Sequence, residues 1–389
     1  PTLLRHPSID GSYWDLLSSA NSAAELTCLI SQVFPTSCFT PNARKILQTF
    51  HNPSSFNLQT MSTGWRRIGV PVTKEEEPKR YRWTAEQVLQ KLPPDYAVQG
   101  KVYMVTGGHS GIGYETTKAF VANGATVIIA SRRQAAVEEA MSRIKTEHPD
   151  AKMVFVQLDL SDLEKVQQCV RDFEATGLPL HGLICNAAAQ ITDFEYTKQG
   201  FEMQFGTNHV GNFLLIELLV NHLAKSGPHS RIALVSSGAH RSSPVRFDDL
   251  DFQGGKVYDK WLSYGQSKSA NIICTRALNG AYAAKGVEVF SLHPGGIVSG
   301  ISTLGPELAL QMNFVNEAGE THPGLKTCPE GAATQTYAVT SPELEGKGGA
   351  FLKDCEIQDP ETEFTQDKTG ENGKRLYEMS LQWVQPFMK

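Results

Sequence analysis

A chain of 389 residues, 40% hydrophobic and 20% charged, is too long for one small domain and suits one large α/β domain with extensions. Its 36 basic and 41 acidic residues give a net charge of −5 with no long run of either sign, which argues against nucleic acid as a partner. The seven cysteines are odd in number and lack a C-x-x-C pair, so neither a disulfide framework nor a zinc site is expected, and a reducing compartment, the cytoplasm, fits best.

Residues 1–60 are rich in Ser, Thr, Asn and Pro, and Asp10, Asp15 and Glu25 are their only acids. Helical patterning is weak (23–33) and strand alternation is lacking, which reads as a low-order extension. The Ser-rich, acid-poor composition also has the character of an organelle presequence, although Arg is scarce. Residues 61–99 read as a linker with a helical segment able to pack on the catalytic unit. Trp65 and Trp83, with Tyr81 between them, suggest a WW module. The pair is too close, however, and the charged run from Lys74 to Arg80 lies where that module's middle strand should be. A WW module is excluded.

From Gly100 onward apolar runs and helical patterns alternate, and residues 100–389 form the expected catalytic unit. Strands are predicted at 101–105, 125–130, 154–160, 182–185, 232–236 and 287–292. Helices are predicted at 112–122, 162–175, 206–224 and 263–284. Strands joined in sequence by helices imply a doubly wound parallel sheet of Rossmann type, flanked by helices on both faces. The longest apolar stretches, such as 153–156 and 213–220, are too short to span a membrane.

Thr106-Gly107-Gly108-His109-Ser110-Gly111-Ile112-Gly113 occupies the first strand-to-helix turn. Gly107 permits a tight turn, Gly111 lets the backbone approach a pyrophosphate, and Gly113 lets helix and strand come close. Amides at the helix start then face the phosphates. The second strand ends in Ala130-Ser131-Arg132-Arg133, with no acid between Ile129 and Ala136. An NAD site needs an acid there for the ribose hydroxyl, whereas arginine suits the 2′-phosphate of NADP(H). NADP(H) is the expected cofactor.

Tyr264 and Lys268, four residues apart, share one helix face. An ammonium beside a phenol should lower the phenol's pKa from about 10 toward neutrality, so that it exchanges a proton with an alcohol or carbonyl oxygen. Ser236-Ser237, at the preceding strand end, offers a hydroxyl for the same oxygen.

With these motifs in order, the chain resembles the short-chain dehydrogenase/reductase family over residues 100–348. The resemblance implies a tetrad of Asn208, Ser237, Tyr264 and Lys268. Tyr264 would be the general acid/base, Lys268 its tuner and a ribose ligand, and Ser237 would orient substrate. Asn208 would kink its helix and hold a relay water. The resemblance also assigns Asp159 and Leu160 to the adenine side and Asn186-Ala187-Ala188 to the family's N-A-G motif. Pro294-Gly295, Ile297 and Ser299 fall to the nicotinamide side. His209, His240 and His293 are read as structural.

The long Ser237-to-Tyr264 spacing, with Phe247-Asp248-Asp249-Leu250 inside it, looks like the branch of retinol dehydrogenases and the WW-domain-containing oxidoreductase. That branch handles lipophilic alcohols and carbonyls. Leu183 to Ala188 and Thr207 to Gly211 also resemble light-dependent protochlorophyllide reductase, a C=C reductase, but Ser236 to His240 and the Asp-Asp-Leu insert favour the retinol-type branch. A catalytically idle NADP-sensing protein is the remaining alternative, disfavoured by the intact tetrad. Substrate choice should lie in 190–201, 240–261 and 301–328. A homo-oligomer is admissible, with no residue pattern that fixes it.

Overall fold

The computed structural model describes residues 80–298, 305–311 and 314–388. The expectations for residues 1–60, for 61–79 and for Ser299 fall outside the described residues. Eight strands form one sheet in the order β3-β2-β1-β4-β5-β6-β7-β8. They are β1 (Val102–Thr106), β2 (Thr126–Ser131), β3 (Lys152–Gln157), β4 (Gly182–Cys185), β5 (Ser230–Val235), β6 (Val287–His293), β7 (Phe351–Lys353) and β8 (Glu356–Gln358). All pairings are parallel except β7 with β8. The principal helices are α1 (Ala85–Gln90), α2 (Gly111–Ala122), α3 (Gln134–Glu147), α4 (Leu163–Ala175), α5 (Asn212–Lys225), α6 (Lys260–Tyr282), α7 (Ala333–Thr340) and α8 (Glu371–Val384).

Successive side chains of a strand point to opposite faces, so β1 sends Met104 into one core and Tyr103 and Val105 into the other. The first core joins Met104, Ile128, Leu183 and Ile232 to α4, α5, α6 and α8 through residues such as Phe173, Leu215, Ile273 and Leu376. The second joins Val105, Ile129 and Ala233 to α1, α2, α3 and α7 through Leu89, Phe120, Ile144 and Tyr337. A sheet covered on both faces needs strands that are largely apolar; β1, β4 and β5 are buried along their whole length, and the Arg231 that β5 buries is paired with Glu288 at 3.1 Å.

Three boundaries differ from the sequence reading. The third strand spans Lys152–Gln157 and stops short of 158–160. There Asp159 Oδ1 accepts from the Ser161 amide (3.0 Å) and hydroxyl (2.6 Å), which turns the chain out of the sheet before Asp162 caps α4. The single helix expected at 206–224 is broken into a short α turn (Met203–Phe205), a π turn (Gly206–Gly211) and α5. Helices α3, α7 and α8 and the two three-residue strands β7 and β8 lie beyond the elements predicted; β7 and β8 extend the sheet, and α8 packs on α6.

α8 lies close on α6. A Cβ placed on Gly373 would stand 2.2 Å from the Ile273 carbonyl oxygen, so only glycine allows this approach. Gly373→Ala is therefore expected to destabilise the protein by about 1–3 kcal/mol, the cost of overpacking a tight contact, as measured by urea denaturation.

Candidate active site

The polar features of the site gather at the C-terminal ends of the parallel strands, around the point between β1 and β4 where the strand order reverses. Here the glycine-rich turn is locked to β4. Thr106 Oγ1 accepts from the amides of Asn186 (2.9 Å) and Ala187 (2.8 Å), and Asn186 Nδ2 returns a bond to Thr106 O (2.9 Å). Gly107 adopts φ +68°, with its amide on Ala130 O at 2.8 Å. A Cβ on Gly113 would meet Gly107 O at 2.4 Å and Asn186 Nδ2 at 2.6 Å. Helix and loop touch there, as expected of that glycine.

The turn fits a dinucleotide phosphate. Gly111 has φ +53°, and a Cβ there would meet nothing within 4 Å, so its backbone faces open space. Ser110 stands at the N-cap of α2 without a side-chain capping bond, which leaves the first helical amides available to an anion. His109 Nδ1 is buried with no partner among the described residues. Arg133 Nη2 lies 3.3 Å from His109 Nε2, and its amide reaches Ser131 Oγ at 3.4 Å. Burial, and then the charge of Arg133, lower the His109 pKa. Arg132 is exposed and makes no hydrogen bond or ion pair among the described residues. Ile112, one residue into α2, packs toward Ile297: a Cβ on Gly331 would touch the side chains of both, at 2.7 and 2.5 Å.

The remaining expected cofactor contacts surround this turn. Asp159 is occupied by Ser161, and Leu160 is buried with its carbonyl against Gly211, where a Cβ would lie 2.2 Å away. Ala187 packs on Gly107, while Ala188 is exposed. Pro294 precedes Gly295, which has φ +98°. Residues 296–298 pair with Lys326 through Lys326 N to Gly296 O (2.8 Å) and Val298 N to Lys326 O (3.0 Å). Lys326 is itself buried, with Nζ 2.5 Å from Asp354 Oδ1. Nothing in the local sequence marks Lys326, because its role arises from a pairing nearly thirty residues away.

Ser237 follows β5, and Tyr264 and Lys268 project from the first half of α6. Asp259 starts that helix by accepting from the amides of Trp261 (2.9 Å) and Leu262 (2.8 Å). The helix is pressed against the turn at Gly238–Ser242, since a Cβ on Gly265 would stand 2.0 Å from Ser242 Oγ. That packing sets the Tyr264 phenol near enough to Ser237 for the serine to influence its pKa. Lys268 Nζ donates to Val235 O (2.9 Å) and lies 5.5 Å from the Tyr264 ring centre. Ser237 Oγ accepts from the Ala239 amide at 3.2 Å. His240, which is fully buried, places Nδ1 2.7 Å from Ser237 O and Nε2 2.8 Å from Glu361 Oε2, so it holds the loop that carries Ser237.

The electrostatics reverse one expectation. Burial pushes the Tyr264 phenol up to about 12, against the lowering effect of Ser237. Burial also drives the Lys268 ammonium down to about 7. Both side chains lie out of water, at 6% and 2% exposure, and desolvation of the charged form is the largest influence on each.

Asn208 also differs in detail. Within the π turn its side chain binds Ala189 in both directions (Ala189 N to Oδ1 2.7 Å, Nδ2 to Ala189 O 2.8 Å) and donates to Ser267 Oγ at 2.9 Å. Its carbonyl accepts from Asn212 Nδ2 at 3.0 Å. The side chain thus fastens the loop after β4 to α6. The widened turn fits the expectation of a distorted helix, a feature often found at functional sites.

Comparison with known proteins agrees with this geometry. The family model described as short chain dehydrogenase matches residues 101–248. The human WW domain-containing oxidoreductase is 36% identical over 322 residues, covering 80% of this chain and 74% of that protein. Mouse retinol dehydrogenase 12 is 34% identical over 291 residues, covering 74% of this chain and 88% of its own. Among solved structures, an uncharacterized protein from Mycobacterium paratuberculosis superposes with a TM-score of 0.59 at 26% identity. That match covers 78% of this chain and 97% of the other.

The Lys268 shift has a consequence for stability. An unfolded lysine keeps its proton up to about pH 10.4, whereas Lys268 in the folded chain loses it near 7. Between these values the unfolded state holds more protons, so this residue's contribution to stability rises with pH. Lys268→Met removes that dependence. In nucleotide-free protein the stability of the parent relative to Lys268→Met should therefore increase from pH 7 to pH 10, measured by urea denaturation at several pH values. A flat or falling difference would contradict the burial of the ammonium.

Proposed function

The chain belongs to the short-chain dehydrogenase/reductase family, in the branch that holds the WW domain-containing oxidoreductase and retinol dehydrogenase 12, and from that footing we propose an NADP(H)-dependent oxidoreductase that interconverts a hydroxyl and a carbonyl group on a small lipophilic substrate. Membership makes it an oxidoreductase that uses a nicotinamide dinucleotide. The observation that carries the finer reading is the buried Tyr264 phenol, whose pKa Ser237 influences, with the Lys268 side chain on the same helix face and 5.5 Å from the phenol ring centre.

In this reading the glycine turn, with Gly107, Ser110, Gly111, Ile112 and Gly113, holds the pyrophosphate. Ser131, Arg132 and Arg133 hold the 2′-phosphate, and Asp159, Leu160, Asn186, Ala187 and Ala188 flank the adenosine half. Pro294, Gly295 and Ile297 border the nicotinamide. The bound nicotinamide supplies or accepts a hydride at the substrate carbon. Ser237 orients the substrate oxygen by a hydrogen bond. Tyr264, whose phenol keeps its proton at neutral pH, donates that proton to a carbonyl oxygen as charge develops on it, and recovers one from an alcohol in the reverse direction. Lys268 supports the resulting phenolate as an ammonium. Asn208 holds Ala189 and Ser267 and so fixes the loop after β4 against α6. Lipophilicity is supported by the aromatic side chains of Phe194, Tyr196 and Tyr258, whose rings meet at 4.9 and 5.2 Å, and by Trp261, 6.1 Å from Tyr264.

Two variants test the reading. Tyr264→Phe deletes only the proton-bearing hydroxyl, so turnover of a panel of aldehydes and ketones should fall by about 10²–10⁴-fold while NADPH still binds. Near-parental turnover would remove Tyr264 from the mechanism. Arg132→Ala should weaken NADPH binding by about five- to tenfold, on the scale of one exposed charge-assisted contact, and leave NADH binding unchanged in calorimetry. Equal losses for both nucleotides would assign Arg132 to another role.

A further inference from the structure

We propose that Arg82, which precedes the first strand of the sheet, is a positioning residue for the nicotinamide half of the site. This inference rests on the function just proposed. The Arg82 guanidinium reaches a loop some 240 residues downstream. Nη1 donates to Leu325 O at 2.9 Å, Nη2 donates to Pro323 O at 2.7 Å, and Nη1 also meets Glu330 Oε2 at 3.1 Å. Arg82 and Glu330 are largely buried, with side chains 26% and 15% exposed. Three acceptors on one planar fork define the position of the loop in a way that a single contact cannot.

The clamped loop leads directly to the site. Lys326, the next residue after Leu325, pairs with 296–298 on the segment that carries Pro294, Gly295 and Ile297. Glu330 also accepts from the Thr327 amide at 2.7 Å, which sets the start of the helical turn Cys328–Gly331. Gly331 in that turn fits between Ile297 and Ile112, and a side chain at this position would collide with both. Arg82 thus fixes two ends of one short segment. One end braces the strand beside the nicotinamide position, and the other meets the helix that starts at the pyrophosphate turn.

Its own end of the clamp is equally anchored. Thr84 and Gln87 form a reciprocal cap that starts α1 two residues later (3.2 and 2.9 Å). Ala85, Val88 and Leu89 are buried in the core shared with α2 and α7. Arg80 meets Glu343 through two bonds, at 2.8 and 3.1 Å. The cation at position 82 is therefore presented from a fixed base. Removing it leaves two carbonyls and a carboxylate without their shared donor and frees the loop to shift. The adenine-side residues on β2 and β3 lie at the other end of the sheet order from β6 and are not in this chain of contacts.

The test compares NADPH with adenosine 2′,5′-bisphosphate, which carries the 2′-phosphate and adenine but no nicotinamide. Calorimetric titration is run on the full chain and on Arg82→Ala and Arg82→Lys, with thermal melting alongside. Arg82→Ala should weaken NADPH about tenfold and change the bisphosphate by less than about twofold, because the freed segment pairs with residues 296–298 beside the nicotinamide, which the bisphosphate lacks. Arg82→Lys should fall between Ala and the parent, since an ammonium cannot span three acceptors. If Arg82→Ala does not fold, Arg82→Lys decides the matter by the same split between ligands. Equal weakening of both ligands, or unchanged NADPH binding, overturns the proposal. If the parent binds NADH in place of NADPH, the cofactor assignment fails, and the same split is then measured with NADH against AMP.

Discussion

An ammonium buried beside a phenol is the constraint on which the rest of the site depends. Lys268 is 2% exposed, and among the described residues its Nζ has one hydrogen-bond acceptor, the carbonyl of Val235 at the end of β5. Taking a cation out of water is costly, and the protein limits that cost by letting the proton leave near neutrality. This arrangement can persist only if α6 cannot move away from β5. Ser236 Oγ, on the Lys268 carbonyl at 2.7 Å, and the tight contact at Gly265 hold the two together from one side. α8 presses on α6 from the other, with Gly373 against Ile273. The two cores on either side of the sheet provide the remaining stiffness.

The doubly wound core was legible because burial on both faces leaves β1, β4 and most of β5 as apolar runs, separated by helical patterns. The glycine turn, Ser237, Tyr264 and Lys268 were legible for a related reason: each sits at a strand end or on one helix face, where spacing along the chain maps onto spacing in the fold. β7 and β8 were not legible. Three residues give no periodicity, and their place in the sheet comes from pairing with β6 rather than from their own composition. A kink at Asn208 was expected from the resemblance, but its form as a π turn was not legible, because the side chains of that stretch keep a helical rhythm while Asn208 and Asn212 bond within and beside the turn.

The electrostatic misreading has a plain origin. Spacing along a helix shows that Tyr264 and Lys268 are neighbours, and neighbouring opposite charges attract. It does not show how much water each has lost. In the folded chain desolvation acts on both groups in the direction of neutrality, the phenol upward and the ammonium downward, and it is the largest influence on each. The same limit applies to Arg82 and Lys326. Both carry charge that composition would assign to the surface, yet one is largely buried against carbonyls and the other is buried beside Asp354.

These two cations also define how a site at one end of a sheet is supported by chain far from it in sequence. The strand ends supply groups with fixed spacing, but beyond His293 the segment that follows β6 pairs with no strand of the sheet among the described residues. Parallel pairing with Lys326 provides a short substitute for such a strand, and Arg82 holds that substitute from behind. A loop tethered only by its own turns would sample several positions on the timescale of loop motion, and a reacting group beside it would lose the geometry on which hydride transfer depends. Placing a planar, always-charged fork across two carbonyls and a carboxylate removes that freedom without adding bulk to the cleft. Arg82 is thereby coupled to the chemistry through geometry alone, by way of the loop it holds.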